Sequence, residues 1–89
     1  MSAPRLELTI AEGKVETIDL APGSDLDHFQ LRFRYPPAFV WSRLFTFPTA
    51  EQTLTTLRQL QQLPPGTEIH LGAVGGGGES PWTTIERVA

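Results

Sequence analysis

Residues 28–47 concentrate the chain's chemistry. Arg32, Arg34 and Arg43 fall there with no acid among them, together with Phe29, Phe33, Tyr35, Phe39, Trp41, Phe45 and Phe47, seven of the eight aromatic residues. A guanidinium over an aromatic face is attracted by about 0.5–2 kcal/mol. Trp, Tyr and Arg are also the residue types that dominate protein interfaces. In an extended chain His28, Gln30, Arg32 and Arg34 share one side, and Phe29, Leu31, Phe33 and Tyr35 the other. If the Pro36-Pro37 loop pairs Tyr35 with Ala38, Phe33 faces Val40 and Phe29 faces Leu44 on the inner side. The outer side then sets Arg34 against Phe39, Arg32 against Trp41, Gln30 against Arg43 and His28 against Phe45. A loop of odd length would instead gather the aromatics of both strands on one face and bury Arg43 unless it reached an edge. That cost favours the first register. The expected binding residues are therefore Arg32, Arg34, Phe39, Trp41, Arg43 and Phe45. The plainer account is a central hairpin whose aromatics are simply core.

Other constellations are weaker. His28 follows Asp25 and Asp27, but the spacing matches no metal loop, and Asp25 is explained as a turn residue. His70 lies two residues from Glu68, which reads as a solvent-facing strand pair. Gly75-Gly76-Gly77-Gly78 has the flexibility of a phosphate cradle but lacks the Lys-Ser/Thr ending and a following helix. It reads as a mobile hairpin loop. Ser2, Ser24, Ser42 and Ser80 sit in no nucleophile elbow. No two carboxylates are singled out for acid–base work. No catalytic residue, cofactor or metal site is expected, and the chain is not expected to be an enzyme.

The elements that must hold these residues can be read from periodicity. Leu6, Leu8 and Ile10 alternate with polar residues, as do Ile18 and Leu20. A short loop at Glu12-Gly13-Lys14 sets Leu8 opposite Ile18 and Leu6 opposite Leu20. Ala21 to Asp25 is a turn by composition. A third strand is expected from about Leu26 to Tyr35 and a fourth from Ala38 to Phe47, the fourth apolar on both faces. Pro48 ends it. Thr49 and Gln52 form a capping box, and Ala50, Leu54, Leu57 and Leu60 make one apolar stripe on a helix of about 13 residues. Pro64-Pro65-Gly66 stops the helix. A fifth strand, Thr67 to Val74, points Ile69, Leu71 and Ala73 inward, and Trp82 to Val88 makes a sixth. The expected fold is α+β: one antiparallel or mixed sheet of about six strands, β-β-β-β-α-β-β, with one helix on one face.

Composition bounds the function. At 89 residues the chain is expected to be one domain, 1–89. It has no cysteine, so disulfides and thiolate chemistry are excluded. No apolar run reaches the roughly 18 residues of a membrane span. Met1 to Glu7 shows no basic start and no apolar core, so no signal peptide and a cytoplasmic location are expected. Net charge is −3 and pI about 5.2, which disfavours nucleic acid as a partner. The charge is uneven, at −4 over residues 1–27, +3 over 28–47 and −2 over 48–89. The expectation is a small acidic protein-interaction module, an inhibitor of the immunity or anti-defence type that occludes a surface through its aromatic and Arg hairpin. The alternatives are an obligate homo-oligomer with that hairpin as subunit interface, and, behind it, a single-stranded nucleic-acid binder stacking bases on Trp41 and Phe39.

Overall fold

The computed structural model of the chain describes residues 4–37 and 40–86. Among these residues the chain has an α+β fold in which seven strands, all paired antiparallel, form two sheets with one helix packed against them. The single sheet expected from the sequence is therefore split. Strands β1 (Leu6–Ala11) and β2 (Lys14–Leu20) form a hairpin of their own. Strands β3 (His28–Arg34), β4 (Phe45–Phe47), β5 (Glu68–Gly75), β6 (Gly78–Glu79) and β7 (Thr83–Glu86) form the larger sheet. Helix α1 (Ala50–Leu60) lies between β4 and β5 in the chain.

The hairpin has the register its alternation predicts, with Leu6 across from Leu20 and Leu8 from Ile18. A shift between Thr9 and Ile10 then brings Ile10 opposite Val15. That bulge lets Val15 and Ile18 both turn inward, where each is almost fully buried.

The helix starts where the capping signal places it. Thr49 has extended backbone and its Oγ1 accepts from the Gln52 N–H at 3.2 Å. Leu57 is fully buried, and Ala50, Leu54 and Leu60 pack against the same cluster. Thr53 is buried too. Its hydroxyl is satisfied by donating to the Thr49 carbonyl at 2.8 Å. At the other end Gln61 ties the helix to the hairpin. Its Oε1 accepts from the Val15 N–H and its Nε2 donates to the Gly13 carbonyl, both at 3.4 Å. Arg58 adds a bond to the Glu16 carbonyl at 3.3 Å.

The larger sheet has the order β4-β3-β5, with β6 and β7 pairing different ends of β5. Its inner face carries Phe29, Leu31, Ile69, Leu71, Ala73 and Ile85, all buried in one cluster with Val15, Ile18 and Leu57. Helix and hairpin together thus cover one face of this sheet. The glycine run is less open than its composition suggests. Gly75 closes β5 and pairs with Gly78, leaving Gly76-Gly77 as a two-residue turn. A Cβ on Gly75 would overlap the Asp25 carbonyl oxygen, so the segment before β3 lies directly on this backbone.

The fourth strand differs most from expectation. It covers only Phe45–Phe47, with Phe29 across from Phe47, Gln30 from Thr46 and Leu31 from Phe45. This is the odd-loop register. It puts Phe45 and Phe47 on the inner side, packed against the core, and Phe33 stacks on Phe45 at 6.1 Å between ring centroids. The predicted pairs His28–Phe45 and Gln30–Arg43 do not form. The burial cost argued against this register is avoided because β4 is an edge strand. Arg43 stays exposed and lays its guanidinium carbon 4.6 Å above the Phe45 ring, covering the ring while its charge remains in water.

Candidate interaction face

The other face of the larger sheet is covered by neither helix nor hairpin. The register of β3 and β5 fixes what it presents: Gln30 across from Gly72, Arg32 from His70 and Arg34 from Glu68. Arg34 and Glu68 form an ion pair at 3.0 Å, both side chains about two-thirds or more buried. Arg32 and His70 form a hydrogen bond, in which Arg32 Nε donates to His70 Nδ1 at 3.2 Å, with Nη2 at the same distance. A guanidinium can only donate, so the bonded Nδ1 carries no proton and His70 is the neutral imidazole protonated at Nε2.

Two indoles from irregular segments complete the face. Trp41 reaches it because the chain between the end of β3 and β4 leaves the regular ladder. Ser42 sits against Phe33, donating its N–H to the Phe33 carbonyl at 2.8 Å and accepting the Phe33 N–H on Oγ at 3.1 Å. The irregular stretch from Ser42 to Phe45 shifts the alternation, so Trp41 points outward and Phe45 inward. Trp41 then meets Arg32 and Arg34, each guanidinium carbon 4.5 Å from the ring centroid, and His70 at 4.2 Å between centroids. Trp82 arrives from the other side, from the stretch before β7. It lies 4.8 Å from the Arg32 guanidinium carbon and 5.8 Å from His70, with the imidazole stacked on it. Its benzo ring sits above Gly72, where a Cβ would come within 3.3 Å of Cε3. Gln30 is buried beneath, at 5% exposure.

Arg32 and His70 are thus shared by two indoles. Each Arg–indole contact is worth about 0.5–2 kcal/mol. Trp41 remains half-buried and Trp82 is 36% exposed, so aromatic surface still faces water. His70 is held below the ordinary imidazole value of 6.5, first by burial and then by the Arg32 guanidinium. Glu68 pulls the other way and Arg34 adds a further push down.

The structure brings together Arg32, Arg34 and Trp41 of the predicted residues. It places Arg43 and Phe45 off this face, as described above, and Phe39 lies outside the described residues. His70 and Trp82 were missed as members. The signal for Trp82 was Gly72, an isolated glycine inside an apolar strand, which marks the close approach of another group. Among the described residues no three His, Asp or Glu side chains group as metal ligands, and no helix is long and apolar enough to cross a membrane. A groove of about 450 Å³ lies elsewhere, between β4 and the first turns of α1, lined by Phe47, Pro48, Glu51 and Gln52 among others. No protein family, no curated protein and no solved structure matches this chain.

Proposed function

We propose that this chain is a non-catalytic, cytoplasmic protein-interaction module that works by occluding a surface on another protein, as a small inhibitor does. One observation carries the reading: the open sheet face holds two partly exposed indoles already pinned by Arg32 and His70. Trp and Arg anchors that are rigid before contact lose little entropy on binding, which is what makes such residues dominate interfaces. The face takes its charge from Arg32 and Arg34, offset in part by Glu68, within an acidic chain. An acidic patch on a different protein complements it. Two-fold pairing with a second copy sets guanidiniums against guanidiniums, so a homo-oligomer is the second reading.

Sedimentation over a range of concentrations, with the wild type and the Arg32→Glu and Trp82→Ala variants, separates the two. A monomeric wild type that binds one protein, with binding lost in both folded variants, supports the module. Self-association of the wild type that both variants abolish replaces it with the oligomer.

A further inference from the structure

We propose that His70 is a proton-operated latch on this face: protonation at Nδ1 removes the acceptor that holds Arg32 and frees the guanidinium from the two indoles. The proposal rests on the interface reading only for its consequence, that the platform is assembled in neutral solution and taken apart in acid.

The geometry leaves the incoming proton no comfortable place. Nδ1 is the atom that accepts from Arg32 Nε, with Nη2 at the same 3.2 Å. Once protonated it becomes a donor facing donors. The imidazolium would also sit beside Arg32 across the strand and near Arg34, with one acid, Glu68, on its own strand. That carboxylate is already engaged by Arg34, through two bonds at 3.0 and 3.2 Å. From β7 the residue across from His70 is Thr84, which carries no charge, and the acid of that strand, Glu86, holds the register position across from Glu68, not from His70. The ring neighbours of His70 among the described residues are Trp41 and Trp82. A charge gained here therefore repels Arg32 more directly than any described group attracts it. Arg32 is a long, half-buried side chain whose charged head can reach water by turning away from the rings. When it leaves, Trp82 loses its guanidinium contact, Trp41 keeps only that of Arg34, and the imidazole between the two indoles carries a charge.

The test is a proton titration of the isolated protein by NMR, from about pH 8 to about pH 5, the range over which imidazoles titrate. The ring nitrogens of His70 and the indole N–H signals of Trp41 and Trp82 are followed together. The expected result is an unprotonated Nδ1 at the high end and a single midpoint, below 6.5, shared by His70 and both indoles. Arg32→Gln should move the His70 midpoint up toward 6.5. His70→Gln should leave both indole signals flat across the range. A protonated Nδ1 at the high end overturns the latch, as do indoles that ignore the His70 midpoint. If His70→Gln does not fold, the wild type and Arg32→Gln decide the matter. No partner is used, so a failed latch leaves the interface reading standing, and a failed interface leaves the latch measurable.

Discussion

Gly72 is the residue on which the placement of Trp82 turns. It is buried in the middle of β5, and the Trp82 benzo ring occupies the space a side chain would take. An alanine there forces the indole out by a few tenths of an ångström, and a valine forces it out altogether. Gly72→Val is therefore expected to keep the sheet, since Val suits strands, and to dislodge Trp82. A red shift of the tryptophan fluorescence would check this. An unchanged spectrum with intact folding would mean that Trp82 does not rest on Gly72. His70 gives a second outcome at this scale. Its folded value lies below the unfolded 6.5, so above that pH the ring is neutral in both states and contributes nothing to the pH dependence. As pH falls below 6.5 the unfolded chain takes up the proton first, and stability drops until the folded-state value is passed. The slope is therefore positive in that window. Urea midpoints across it, compared between wild type and His70→Gln, should show the fall shrinking in the variant.

The elements that were legible are those whose signals are local. Thr49, Gln52 and the Ala50–Leu60 stripe specify a helix without help from the rest of the chain, and Leu6, Leu8, Ile18 and Leu20 specify a hairpin register by alternation. What was not legible depended on non-local geometry. Residues 40–44 look like strand, yet the chain breaks the ladder there so that Trp41 and Phe45 can serve opposite faces, and apolarity on both sides was the trace of that break. The split into two sheets leaves no local mark. Two predictions test how the elements are joined. Thr49→Ala removes the cap and should cost about 1 kcal/mol, read as a lower melting temperature. Gln61→Ala removes both bonds from the helix end to the hairpin and should cost about 1 kcal/mol as well. The two losses differ in where they appear. Amide exchange should quicken across β2 for Gln61→Ala, and at the first turn of α1 for Thr49→Ala. Equal exchange in β2 for both variants would show that Gln61 is no clamp.

At the scale of the molecule the decisive quantity is thickness. The shortest extent is 18 Å, enough for two layers about 10 Å apart and no more. With the helix and the β1–β2 hairpin in one layer, the larger sheet has no third layer to cover its far face. The chain answers with its own side chains: Trp41 and Trp82 roof Arg32, His70 and Gln30. Such a roof can be a small second core, or it can be a platform kept ready for a partner, and the two differ in what its loss does. A second core contributes to folding, so Trp82→Ala would lower stability by about 3–5 kcal/mol, as large-to-small core changes do. A platform contributes to association. In that case Trp82→Ala and Arg32→Glu leave the fold within about 1 kcal/mol of wild type and weaken binding by about 2 kcal/mol or more, roughly thirtyfold. The exposure of Trp82 at 36% favours the second outcome. Salt adds an independent reading. An acidic partner meeting Arg32 and Arg34 should bind more weakly at about 0.5 M salt than at 0.1 M, because the screening length falls below about 5 Å. Arg32→Glu should flatten that dependence, whereas Trp82→Ala should leave its slope intact. Folded variants that bind as tightly as the wild type at both salt concentrations would make the roof a core and move the interface elsewhere.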